Sequence, residues 1–241
     1  MLHPTRGIVL RTARYSETSV IANIYTEQFG RQAFFINGIR TPKSKNKPAL
    51  LQPLSLLHLI GYFREGRNFQ RIREMSFDHV FQSLPFSTSK SAVGLFMAEV
   101  MLNSLREETA NPDLFEFLHG SVLTLDGMPE PVRSFHLTFL IGLSRHLGFQ
   151  PSAGAGSEGP FFDLRDGRFM VSEPVHAEYL SGDHTGLLRR LIGSDYVKAE
   201  SMKMTRTERR GMVEHLLRFY ALHLPDFREV RAGKIYSEML M

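Results

Sequence analysis

Apolar residues recur at about every second position through the first third of the chain and at every third or fourth position after it. Gly7-Ile-Val-Leu-Arg-Thr-Ala-Arg14 is β-branched and apolar, with arginines at its far end. Val20 to Thr26 alternates as a half-buried strand does, and Gly30 turns the chain into the run Arg31 to Ile36. Leu54 to Phe63 is a long apolar run, Arg64-Glu-Gly-Arg67 reads as a hairpin turn, and Phe69 to Met75 closes the set. Five short strands with turn residues between them predict a small barrel. A five-stranded, partly open barrel of this length is the oligonucleotide-binding (OB) architecture, and a five-stranded SH3-like barrel would give a similar pattern.

After Pro85 the period lengthens toward 3.6. Val93, Phe96, Met97, Val100 and Met101 form one helical stripe. Asn111-Pro112 places a capping residue before a proline at the first helical position, and Leu114, Phe117, Leu118, Val122 and Leu125 continue the stripe. Val132 to Leu147 is apolar around much of its circumference and predicts a central buried helix ended by Gly148. Thr205-Arg-Thr-Glu208 is a capping box opening a helix with Val213, Leu216, Leu217, Tyr220 and Leu224 inward. Pro225 stops that helix, and Ile235 to Leu240 predicts a last short turn. The expected fold class is α+β: a five-stranded OB-fold barrel over residues 1–80, then a mostly α-helical domain over 81–241, with the boundary near 79–87.

Composition narrows what this architecture can do. No apolar run approaches the ~20 residues of a membrane helix, and Met1-Leu2-His3-Pro4 has no signal-peptide character. The chain has no cysteine, which excludes disulfides and thiolate metal sites and suits a reducing compartment, so a cytoplasmic location is expected. Charge is placed unevenly. Of the 29 Lys and Arg, 12 fall in residues 1–80, leaving 17; of the 25 Asp and Glu, 5 fall there, leaving 20. A basic first third joined to a mildly acidic remainder predicts a polyanion-binding module attached to a body with another task.

The densest basic segment follows the third strand. Arg40, Lys43, Lys45 and Lys47 lie in a loop that has two prolines and no acid. Like charges so close repel one another and add nothing to a core, so an anionic ligand is the simplest reason for them. Arg11, Arg14, Arg31, Arg67, Arg71 and Arg73 share the barrel with Phe34, Phe35, Tyr62, Phe63 and Phe69. Cations follow a phosphate backbone and exposed aromatics stack bases without reading sequence. A barrel this small must fill itself, so one or two of those rings at most are expected outside.

Catalytic and metal signatures are weak. Gly154-Ala-Gly156-Ser-Glu-Gly159 matches the dinucleotide-binding string, but that fingerprint needs a strand before it and a helix after it. Here a helical stretch precedes and the strand-like Pro160-Phe-Phe-Asp-Leu follows, so the string reads as an ordinary loop. Ten histidines form no H-E-x-x-H pair, and His136, His146, His215 and His223 sit in helices where a hydrogen-bonded core or boundary role is the commoner one. No nucleophile elbow or Ser/His/Asp order is visible. No enzyme activity is expected.

Several segments resemble the bacterial recombination mediator family RecO. They are Gly7-Ile-Val-Leu-Arg-Thr, the Glu27-Gln-Phe-Gly30 turn, Arg40-Thr-Pro-Lys-Ser-Lys and Leu51-Gln-Pro-Leu. Asn111-Pro-Asp-Leu-Phe115, Leu147-Gly-Phe, Tyr220-Ala-Leu-His-Leu-Pro225 and the tail from Arg231 to Leu240 fall at the family's later landmarks. The resemblance implies an OB barrel followed by a helical domain, DNA repair and recombination after DNA damage (the SOS response), and a cytoplasmic, nucleoid-associated protein. It implies binding of single- and double-stranded DNA, annealing of complementary strands, partnership with RecR, and help in loading RecA onto strands coated by single-strand-binding protein. The Arg40 to Lys47 segment carries over as a DNA contact. The family takes the acidic tail of single-strand-binding protein through its helical domain, where Arg133, Arg145, Arg189 and Arg190 are the candidate cations. Many relatives carry a four-cysteine zinc knuckle after the Leu-Gly-Tyr/Phe segment. Here Gln150 to Pro160 has no thiol, so neither zinc nor another cofactor is expected. Two other readings stay open: a generic OB module for RNA or tRNA, and an adaptor whose basic loop meets an acidic protein.

Overall fold

The structure, a computed structural model, describes residues 2–39, 48–64, 66–152 and 159–231. The chain forms two compact units, Met1–Gly127 and Met128–Met241. In the first unit five strands, β1 (Leu2–Arg14), β2 (Val20–Thr26), β3 (Gly30–Ile36), β4 (Leu56–Tyr62) and β5 (Arg71–Phe77), make one antiparallel sheet in the order β3-β2-β1-β4-β5. β1 begins five residues before the predicted start, at Leu2. Its length lets it serve two partners, pairing with β4 over Leu2–Ile8 and with β2 over Gly7–Arg14. The register slips between Val9 and Arg11, and such a bulge bends a strand and sharpens its twist. The sheet curls until β3 meets the residue before β5: Phe35 N donates to Gln70 O and Gln70 N donates to Ala33 O, at 3.1 and 2.8 Å. That single parallel bridge leaves the barrel partly open, as in the OB architecture.

Alternation decides which side chains fill the barrel. Val9, Val20, Ala22, Ile24, Phe34, Ile36, Leu57 and Leu59 point inward, closed off at one end by Ile39, Leu50 and Leu51. Gly7 lies where the strands approach most closely; a Cβ there would sit 2.7 Å from Ile24 and 2.9 Å from Leu59. Two helices complete this unit, α1 (Thr88–Ser104) and α2 (Pro112–Gly127). The stripe Val93, Phe96, Met97, Val100 and Met101 is buried throughout. Asn111 caps α2 through a 3.1 Å bond from Leu114 N, as the Asn-Pro pair predicts. The sheet ends at Phe77 and α1 begins at Thr88, so the change of period marks the change of element, while the compact unit runs on to Gly127.

Asp126 holds the segment between sheet and helices. Its carboxylate accepts from the amides of Gln82, Ser83 and Leu84 at 2.7–2.9 Å. The buried Lys90 ammonium donates to the Asp126 carbonyl and to Ser83 Oγ, at 2.7 and 2.6 Å.

The second unit holds α3 (Phe135–His146), a three-stranded antiparallel sheet of β6 (Phe161–Asp163), β7 (Arg168–Met170) and β8 (Tyr179–Ser181), then α4 (Asp183–Ile192), α5 (Tyr196–Ser201) and α6 (Arg206–His223). α3 is the central helix the pattern predicts, but it opens three residues later than Val132. Glu200 of α5 provides its cap, accepting from the amides of Arg133, Ser134 and Phe135. Gly148, at φ +86°, follows its end. The capping box of Thr205 and Glu208 forms on α6. The buried stripe of α6 is centred on Met212, Leu216, Phe219 and Tyr220. Val213, Leu217 and Leu224, expected inward, are only half-buried, because Tyr220 reaches Leu140 O of α3 at 2.7 Å and turns that edge inward. The predicted turn over Ile235–Leu240 lies outside the described residues.

Candidate nucleic-acid interface

The outer face of β1-β2-β3 carries three cross-strand rows. Arg11, Asn23 and Ala33 form one, Ala13, Ile21 and Phe35 the next, and Tyr25 with Arg31 the third. The third row is covered. Tyr25 stacks on Phe115 of α2 at 6.4 Å, and the Arg31 guanidinium donates to the carbonyls of Leu102 and Leu105 at 3.0 and 2.8 Å. Burial pushes the Arg31 pKa down, and its Nη1 donates to both carbonyls within the fold. Arg31 is thus an internal anchor of α1. Arg6, on the same side, is held by Glu27 and Glu116 over the ring of Phe115.

The other two rows are open. Arg11 is exposed, and Asn23, Ile21, Ala33 and Phe35 are half-buried. Two loops flank them. In the β1–β2 turn, Tyr15 is 63% exposed and packs edge-to-face on Phe35 at 5.3 Å, while Arg14 is exposed beside it. The turn is knitted to the end of β3 by the 2.8 Å bond of Ser19 Oγ to Asn37 Oδ1. The β4–β5 connection carries exposed Arg64, Arg67 and Phe69 and reaches β3 through Gln70. Gln70 fastens it further, accepting from Arg64 N and donating to Arg64 O, both at 2.9 Å. OB folds bind oligonucleotides on the strand 2–3 face between these two loops. Arg11 belongs to the open face itself and Arg67 is exposed on the β4–β5 connection that flanks it, whereas Arg14, exposed where β1 enters the turn, pairs with Val20 of the inward row. Arg71 lies on a separate outer row with Leu2 and the half-exposed Tyr62, and Arg73 sits at the β5 bulge beside Glu74 at 3.3 Å.

Of the five rings singled out in sequence, Phe34 is fully buried and Phe63 stacks on Phe29 at 3.8 Å. Tyr62 and Phe69 are each 42% exposed. Tyr15, the most exposed ring of the barrel, was missed; the run Arg14-Tyr15-Ser16 between two strands was the available signal. Arg40, Lys43, Lys45 and Lys47 lie outside the described residues. The segment that leads into them, Asn37 to Ile39, leaves the barrel at the end where Tyr15 sits, since Ile36 pairs with Val20.

Residues 1–81 match the family described as recombination protein O N terminal, and residues 86–231 match recombination protein O C terminal. The chain belongs to the recombination protein O (RecO) family. The two RecO matches meet across the segment that Asp126 holds. The chain is 35% identical over 239 residues to DNA repair protein RecO of Phocaeicola vulgatus and 36% over 240 residues to that of Bacteroides fragilis, with 99% of both chains covered in each case. It is 32% identical over 241 residues to DNA repair protein RecO of Christiangramia forsetii, again over 99% of each. RecO membership assigns the chain a role in DNA repair and recombination, and it accords with the OB-like first unit.

The remaining candidates are dispersed. In the second unit Arg133 and Arg190 are exposed, and Arg145 Nε donates to Gln150 at 2.9 Å. Arg189 is half-buried, donating to Gly159 O at 2.8 Å with its guanidinium 4.4 Å from the centre of the Phe169 ring. Gly154 and Gly156 of the glycine string lie outside the described residues; Gly159 leads into β6, and a Cβ there would meet Met170 O at 1.8 Å. A strand, not a helix N-terminus, follows the string. His136 is buried in α3, which pushes its pKa down to about 3 and keeps it neutral. Among the described residues no group of three or more His, Cys, Asp or Glu is arranged to hold a metal ion, and no helix is long and apolar enough to cross a membrane.

Proposed function

We propose that this chain is a non-enzymatic mediator of recombinational repair, which binds single- and double-stranded DNA and anneals complementary strands. With RecR it helps load RecA onto strands coated by single-strand-binding protein. Its second unit takes the acidic tail of that protein, through cations drawn from Arg133, Arg145, Arg189 and Arg190. It works in the cytoplasm at the nucleoid and needs no cofactor. The observation that carries the reading is the open strand 2–3 face, which carries Arg11 and is flanked by two loops holding exposed Arg14, Arg67, Tyr15 and Phe69 on an OB-like sheet. RecO membership supports it independently. The mechanism is electrostatic: neutralising phosphates on two strands lowers their repulsion, and tethering through the coating protein raises local strand concentration.

The test is single-stranded DNA binding across a salt series. Each lost phosphate contact flattens the slope of log affinity against log salt by ~0.7, so Arg11→Gln, Arg14→Gln and Arg67→Gln together should remove roughly 2 units. A companion triple change of Lys43, Lys45 and Lys47 to Ala measures the basic loop in the same way. Annealing with and without single-strand-binding protein, and competition with RNA of matched length, complete the assay. Unaltered slopes in both variants, or equal preference for RNA without annealing, would overturn the proposal in favour of an adaptor or a generic RNA module.

A further inference from the structure

The DNA-binding reading leaves open which form of DNA the strand 2–3 face takes. Resting on that reading, we infer that Tyr15, backed by Phe35, is a base-stacking platform that gives this face its preference for unpaired strands over duplex. A phenol ring that is 63% exposed has not been placed to fill a core. It is nevertheless held firmly. Tyr15 N and Ser16 N both donate to Ser19 O, at 3.0 and 3.2 Å, and Ser19 N donates back to Ser16 Oγ at 3.2 Å. Arg14 Nε donates to Ser16 O at 3.2 Å, and Ser19 Oγ is bonded to Asn37. Five hydrogen bonds in so short a turn fix the backbone from which the ring projects, so little freedom is left to lose when a ligand binds. The edge-to-face pair with Phe35, at 87° between planes, orients the ring and still leaves broad π surface open.

The surroundings choose the occupant. Arg11 stands on the outer row next to that of Phe35, Arg14 is exposed where β1 enters the turn, and exposed Arg67 and Phe69 lie on the β4–β5 connection that reaches β3, so cations for phosphates and faces for bases occupy one side of the barrel and its two flanking loops. That arrangement matches a single strand, in which successive phosphates and unstacked bases are both available. In a duplex each base already has its faces covered by its neighbours, so Tyr15 gains nothing and only the phosphates bind. The arginines are shared between the two forms of DNA, and Tyr15 separates them.

The chain has no tryptophan, so Tyr15→Trp supplies a lone indole at the platform. Its emission should be quenched on titration with a single-stranded oligonucleotide and stay unchanged with a duplex of equal length, while anisotropy of labelled DNA reports binding of each. Tyr15→Ala should weaken single-strand binding about 10-fold, with duplex affinity and the salt slope unchanged, and Tyr15→Phe should restore it. Binding of the single strand without quenching, or equal loss of both DNA forms in Tyr15→Ala, overturns the platform and leaves the function standing. Absence of binding to either form overturns both.

Discussion

Asp126 gives the sharpest quantitative test of how the first unit is held together. Burial pushes its pKa up, but the amides of Gln82, Leu84 and Ser83, with His79 at 3.3 Å, outweigh burial and hold it down, from 3.8 to about 2. At 1.36 kcal/mol per pKa unit the ionised form is favoured by the fold by about 2 kcal/mol. Asp126→Asn keeps the volume, removes the charge and turns an amide NH2 toward groups that are themselves donors. At neutral pH it should cost at least about 2 kcal/mol. With a slope of ~2 kcal/mol per molar urea, the unfolding midpoint falls by about 1 M. The folded pKa is depressed, so this stability is fully present above about pH 4 and is lost as pH falls through 2; by pH 3 roughly half is gone. The gap between the two proteins should therefore narrow on acidification, whereas the remaining carboxylates titrate in both and cancel. Urea unfolding followed by circular dichroism at pH 7 and pH 3 reads the result. A midpoint unchanged at pH 7, or a gap equal at both pH values, would refute the assignment of Asp126 as the ionised hub.

Two further outcomes follow from geometry and composition. Gly30 has φ +60°, and a Cβ there would lie 2.4 Å from Glu107 O and 2.5 Å from Thr109 O; Gly30→Ala should cost more than about 1 kcal/mol, and a change within about 0.5 kcal/mol in thermal melting would contradict the crowding. Elemental analysis should find no stoichiometric zinc and chelator should leave the melting temperature in place; bound zinc whose removal sharply lowers it would reverse that expectation.

The local pattern of the chain determined its elements wherever the pattern was long. Alternation and short apolar runs between turn residues marked the five strands, 3.6-residue spacing marked α1, α2 and α6, apolarity around the circumference marked α3, and the caps at Asn111 and Thr205 were legible because a cap and its partner lie three residues apart. The three-residue strands β7 and β8 and the short helices α4 and α5 were not legible, since so few residues hold too little of either period. The basic bias pointed to a polyanion, but charge alone could not sort the arginines. Arg11 and Arg31 occupy adjacent outer rows of one ribbon; the first is exposed and the second is bound to carbonyls 71 and 74 residues further along. Asp126 meets Gln82 across 44 residues, and Glu200 caps a helix that starts 65 residues earlier. Propensity acts over a few neighbours, whereas burial and hydrogen-bond satisfaction are settled by whatever the folded chain brings alongside. For that reason the sequence by itself determined the longer strands and helices and the basic bias of the first third, and only the tertiary structure decided which of its cations and rings face outward.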